Sequence, residues 1–163
     1  METVKNLRIS DPDKLLETFN IKSVPDIVKL AKYYEFKVLL LGYELDNVSN
    51  VKGFICINDK KKFMNKRVIA VRDDLSYSSK RFISAYLFSL YQLRGNDCLF
   101  CETIYDESMF DEDVYNYTLD LLLPDFLFND IYENIEDKSL LRDVFKVSDV
   151  VIEEKIKRLK KEK

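Results

Sequence analysis

Residues 78–93, Ser-Ser-Lys-Arg-Phe-Ile-Ser-Ala-Tyr-Leu-Phe-Ser-Leu-Tyr-Gln-Leu, constrain this chain more than any other stretch. Beyond Arg81 the segment carries no charge, and Phe82, Ile83, Tyr86, Leu87, Phe88, Leu90, Tyr91 and Leu93 fall on every face of a helical wheel. A helix that is apolar all round has to be buried. The stretch falls short of the roughly 20 residues that a bilayer span needs, and Lys80, Arg81 and Arg94 flank it closely, so a core helix is expected and no membrane is implied. Other layers must wrap it, and at 163 residues the chain is long enough to supply them as one domain.

The layers are readable in order. Ser10-Asp11-Pro12-Asp13 and Ser23-Val24-Pro25-Asp26 are helix-start signals, each followed by apolar residues at helical spacing. Residues 36–41, Phe-Lys-Val-Leu-Leu-Leu closed by Gly42, read as a buried strand, and 51–57 and 67–71 as two more, with Asn58-Asp59-Lys60-Lys61-Lys62 as a solvated turn. Gly95-Asn96-Asp97 ends the central helix, and Cys98-Leu99-Phe100-Cys101 is an apolar segment of undecided type. Asp111-Glu112-Asp113 is suited to a helix N-terminus, leading into a helix over 114–123 that Pro124 stops. Further helices are expected over 126–135 and 140–145, and a last one from Asp149, capped by Ser148. The order predicts an α+β domain spanning 1–163: helices over 1–35, a small, partly antiparallel sheet with the central helices over 36–123, and a helical part over 124–163.

Several function classes are excluded or weakened by composition. With 26 basic and 29 acidic residues there is no general attraction to nucleic acid or anionic lipid. Three glycines, standing far apart, cannot build a phosphate-binding loop. The chain has no histidine, which removes the commonest general base and the commonest metal ligand together. The N-terminus lacks a signal-peptide pattern, so a cytoplasmic location with three reduced, buried and inert thiols is expected. Cys98-x-x-Cys101 is no zinc knuckle, since only Cys56 remains as a further soft ligand. The acidic residues Glu102, Asp106, Glu107, Asp111, Glu112 and Asp113 lack the ligand spacing of a calcium loop and read as a solvated loop and helix start. The basic tail from Lys155 to Lys161 mixes with Glu153 and Glu154 and is expected as a frayed, solvated helix.

Three blocks, in order, resemble the ImmA/IrrE-type metallopeptidases. Arg67-Val68-Ile69-Ala70-Val71 followed by Lys80-Arg81-Phe82-Ile83-Ser84-Ala85 is similar to the strand and helix entry of that family, whose helix continues H-E-x-x-H. Asp111-x-x-Val114-Tyr115-x-Tyr117-Thr118-x-x-Leu121-Leu122-Leu123-Pro124 resembles the segment that brings the family's third ligand. Phe145-Lys146-Val147-Ser148-Asp149-Val150-Val151-Ile152-Glu153-Glu154-Lys155-Ile156 resembles its close. The resemblance implies a zincin-like fold in which ligand, base and ligand have become Tyr86, Leu87 and Leu90, and the third ligand Asp111. Leucine neither ligates nor transfers a proton, so no catalytic residue, metal or cofactor is expected. The resemblance further implies that Tyr86 and Asp111 approach each other across the vacated cleft, and a hydrogen bond from the Tyr86 hydroxyl to the Asp111 carboxylate, direct or through one water, is expected in place of the metal. The expected function is that of an inactive peptidase-like protein that binds another protein, such as a helix-turn-helix repressor, in phage or mobile-element regulation. The alternatives are a hydrolase with a metal site rebuilt from carboxylates or cysteines, a nucleic-acid-binding regulator using the basic C-terminal helix, and a purely structural or immunity-type interaction protein.

Overall fold

The computed structural model describes residues 6–42, 50–58, 66–95, 99–135 and 137–162, with the side chains of Lys66 and Leu99 outside the description. Of the expected turn over 58–62, Asn58 ends a strand and 59–62 lie outside these residues, as do the helix-ending Asn96 and Asp97, and Cys98. The fold is α+β. In chain order it runs α1 (Pro12–Thr18), α2 (Ile27–Tyr33), β1 (Lys37–Leu41), β2 (Gly53–Asn58), β3 (Lys66–Arg72), α3 (Tyr77–Arg94), β4 (Leu99–Ile104), a 3-10 turn (Glu107–Met109), α4 (Glu112–Leu122), α5 (Asp125–Asn134), α6 (Lys138–Phe145) and α7 (Asp149–Lys161).

The cap residues fix the helix starts. Asp11, Asp26, Asp111 and Asp137 each accept a backbone N–H of the helix they precede, satisfying donors that a helix cannot pair internally. Ser148 stands at the cap position of α7 without that bond.

The four strands lie in the order β1-β3-β2-β4, with β1 parallel to β3 and the other two pairings antiparallel. Residues 36–41 contain a strand, but not a buried one. Among the described residues it is an edge strand, and Leu39 and Leu40 are 47% and 61% exposed. The segment around Cys101, undecided in sequence, is the opposite edge strand β4.

Helix α3 is the centre. Every residue from Ile83 to Gln92 is buried, as the all-round apolar wheel requires. It lies on one face of the sheet. Ile55 and Ile57 of β2, both 0% exposed, alternate with half-buried Phe54 and Cys56, so β2 turns alternate side chains toward the helix. Gly53 sets the approach, because a Cβ there would stand 2.8 Å from the Ala70 carbonyl oxygen and 2.8 Å from Ile83 Cγ2. On its other side α3 packs against α4, and α2 closes the end of the sheet near β1.

Two arginines tie these layers together. Arg67 on β3, 4% exposed, donates to the Tyr34 carbonyl, the Tyr91 hydroxyl and the Asn6 side-chain oxygen, and lies over the rings of Phe36 and Tyr91. Arg81 on α3 donates to the Pro25 carbonyl at 2.7 Å and to the Phe145 carbonyl at 3.2 Å. It thereby joins the entry of α2 and the end of α6 to the central helix.

The cysteines differ from the sequence expectation. Cys56 on β2 and Cys101 on β4 are direct cross-strand partners and form a disulfide. They are neither free nor buried together, since Cys101 is exposed and Cys56 half-buried. The linear sequence hides this because 45 residues separate them and only the strand register brings them opposite.

Candidate functional site

The site grows from the face of α3 that meets α4. Phe82 and Tyr86 stand one turn apart on α3, and Phe110, which enters α4, stacks on the Tyr86 ring with centroids 4.4 Å apart. Phe82 closes on Phe110 at 5.5 Å and on Tyr115 at 5.6 Å. Such offset and tilted ring pairs add to ordinary apolar burial. The result is an aromatic plug between the two helices.

Tyr86 and Asp111, expected near each other, are brought together, but the bond between them runs the other way. The Asp111 backbone N–H donates to the Tyr86 hydroxyl oxygen at 2.7 Å. The carboxylate is otherwise engaged: Arg94, two turns further along α3, grips both of its oxygens at 2.8 and 2.7 Å, and the Asp113 N–H caps on it at 3.2 Å. An N-cap residue turns its side chain back onto its own helix, which leaves its own N–H, just outside the helix, to face α3. Burial pushes the Tyr86 phenol up from its ordinary value, while the bond from Asp111 opposes the shift. The hydrogen bonds from Arg94 hold the Asp111 carboxyl below the usual carboxylate range. At neutral pH the pair is a neutral phenol and an ionised carboxylate locked in a fork.

Leu87 (0% exposed) and Leu90 (8% exposed) are part of the core and present no lone pair. The chemistry left at these positions is that of an acceptor phenol in an apolar wall. Among the described residues no three His, Cys, Asp or Glu side chains stand where they could share a metal ion.

The sequence reading passed over Arg94 and Phe110, the residues that complete this contact. The available signal was an arginine at the end of the central helix and an acidic run later in the chain. Of that acidic run, the structure spreads the members apart. Asp106 accepts from Ser108, Glu107 pairs with Lys52 at 2.6 Å, and Asp111 pairs with Arg94.

Beside the plug a groove of about 530 Å³ opens between α3, α4 and α7. Phe82, Phe110 and Tyr115 line it from the plug, Val150 and Val151 from α7, and the Lys52–Glu107 pair stands at its side.

The C-terminal helix is not the frayed, solvated tail expected from its charge. Val151, Ile152, Lys155 and Ile156 are buried. Lys155, 3% exposed, reaches Asp120 at 3.1 Å and Asp125 at 2.5 Å. Arg158 turns to Asn116 and Asp120. Apolar residues at positions 151, 152 and 156 form a helical stripe that the count of lysines obscured, and two of the tail's cations serve to dock it. Among the described residues no helix is long and apolar enough to cross a membrane.

No protein-family model, curated protein or solved structure matches this chain.

Replacing Tyr86 by Phe removes the acceptor of the Asp111 N–H and leaves the ring stacking in place. A loss of about 1 kcal/mol in urea unfolding is expected, with unchanged secondary structure. Unchanged stability would show that this bond contributes nothing to joining α3 and α4.

Proposed function

We propose that the protein is a catalytically inactive, metal-free relative of the ImmA/IrrE peptidases, zincin-like in fold, which works by binding another protein in the setting of phage or mobile-element regulation. One observation carries the reading. The contact between α3 and α4, where the resemblance puts a metal cleft, is an aromatic plug fastened by the Tyr86–Asp111 bond, while the groove beside it stays open. Tyr86, Leu87 and Leu90 supply neither zinc ligand nor base, and a mainly apolar groove beside them favours holding a peptide segment over cutting it. A helix-turn-helix repressor of the kind that intact relatives act on is the partner this reading favours.

Val150 is the residue for a test, because it lines the groove and is 63% exposed, so that a charge there leaves the core alone. Immobilised full-length protein should retain a helix-turn-helix protein from its native host, and Val150→Arg should retain at least about tenfold less of it. The retained protein should keep its full length on prolonged incubation, and elemental analysis should find well under one equivalent of zinc. A partner shortened by the wild-type chain, or zinc held stoichiometrically through chelator dialysis, would overturn the inactive, metal-free reading. Retention indifferent to Val150→Arg would overturn the groove.

A further inference from the structure

The disulfide lies outside the site described above. We propose that Cys56 and Cys101 form a reversible thiol–disulfide site, opened and closed by soluble thiols of the glutathione class, and that its state sets how firmly edge strand β4 is held to the sheet.

Position is the first argument. Ile55 and Ile57 turn inward on β2, so Cys56 faces away from α3, and its partner Cys101 is exposed. An incoming thiolate therefore has an open path to the Cys101 sulfur. Exposed disulfides are the exchangeable ones, whereas those sealed in a core resist reduction.

The second argument is what the bond holds. Among the described residues β4 has a single strand neighbour, β2. Its inward side chain Ile104 is 4% exposed, while Cys101 and Glu102 are exposed. Backbone pairing with β2 keeps β4 in register from Leu99 to Ile104, and the disulfide adds a covalent tie in the middle of that register. Immediately after β4 the chain makes the Glu107–Met109 turn and delivers Phe110 and Asp111 to Tyr86. Freedom gained by β4 is thus passed to the aromatic plug.

The chemistry balances with two thiols. The first thiolate attacks Cys101 Sγ; a new sulfur–sulfur bond forms there, the Cys56–Cys101 bond breaks, and the electron pair leaves on Cys56, which takes a proton. The second thiolate attacks the external sulfur of the mixed disulfide and releases Cys101 as a thiol after protonation. The protein disulfide gains two electrons and two protons, and two small thiols become one oxidised disulfide.

The test uses the full-length Cys98→Ser protein, which leaves only Cys56 and Cys101 to exchange. It is equilibrated from both the oxidised and the reduced side in buffers of stepped reduced and oxidised glutathione, trapped by alkylation and quantified by peptide mass spectrometry. The two approaches should converge on one curve that passes from closed to open with the circular-dichroism spectrum unchanged. Amide hydrogen exchange over 99–111 should be about tenfold faster in the open form, with 83–92 unaffected. A Cys56→Ser variant should show the fast exchange in every buffer. The proposal falls if the pair stays closed until the protein unfolds, if it never closes, or if opening leaves exchange over 99–111 unchanged.

Discussion

Arg81→Ala is expected to lower the stability of the protein by about 3 to 5 kcal/mol, read as a fall in the urea midpoint at constant slope. The guanidinium makes two charge-assisted bonds to main-chain carbonyls, Pro25 at 2.7 Å and Phe145 at 3.2 Å. Each is worth about 1.5 to 3 kcal/mol, and truncation leaves both carbonyls without their donor. The two acceptors belong to segments 120 residues apart (145 − 25), one entering α2 and one ending α6. The loss should therefore appear at both ends of the chain, as faster amide exchange over 27–33 and 138–145. Arg81→Lys separates charge from geometry. An ammonium is a point donor and cannot span two carbonyls as a planar fork does, so about half of the loss is expected to remain. A fall below about 1 kcal/mol for the alanine variant would mean that the two segments hold to α3 by apolar packing alone.

Gly53→Val is the second large effect, with an expected loss above about 3 kcal/mol, against about 1 to 2 kcal/mol for Gly53→Ala. The cause is space and not backbone conformation, since no described glycine has positive φ. A Cβ at this position meets the Ala70 carbonyl oxygen and Ile83 Cγ2, each at 2.8 Å, and Leu87 Cδ1 at 3.2 Å. The Ile83 side chain can rotate away, but the Ala70 carbonyl belongs to the strand ladder and cannot yield without moving β3. The branched valine adds atoms on the side of α3 and has to lift the helix from the sheet. Pairing Gly53→Ala with Ile83→Leu, which moves the branch off Cβ and so removes Cγ2, should recover part of the loss, a coupling that thermal unfolding of the two single variants and the double variant measures. Full stability in Gly53→Ala would show that helix and strand stand further apart than contact.

These two residues show which parts of the fold the sequence carries openly. The central helix is legible because eight apolar residues distributed around one wheel admit no other placement, and the aspartate and proline caps announce α1, α2 and α4 locally. The exposure of β1 is not legible. Lys-Val-Leu-Leu-Leu looks alike at a sheet's centre and at its edge, and only the non-local order β1-β3-β2-β4 makes it an edge strand. Strand β4 escapes for a related reason: it carries the exposed Glu102 in a register position facing Ile55, which an edge tolerates and a central strand would not. At the candidate site, the nearness of Tyr86 and Asp111 was legible through the resemblance, but the direction of their bond was not. That direction follows from a helix cap and from Arg94, whose grip on the carboxylate depends on two helices meeting in space. Lys155 is the mirror case, a charge that reads as solvated in sequence and is buried against Asp120 and Asp125.

The strand order also dictates a sequence of assembly. β2 and β3 are neighbours in the chain and in the sheet, and their antiparallel register runs from Gly53 opposite Val71 to Asn58 opposite Lys66 with few residues between them in the chain, the least costly contact the sheet can make. β1 can join only at the outer side of β3, in parallel, and β4 only at the outer side of β2, after the whole of α3 has intervened. The hairpin is thus the template on which both outer strands are laid, and the central helix, docking on it through Gly53, must find its seat before β4 can reach its own. In refolding of the reduced protein followed by pulsed amide exchange, protection should spread outward from β2 and β3, with the two rims of the sheet the last to gain it and the first to lose it.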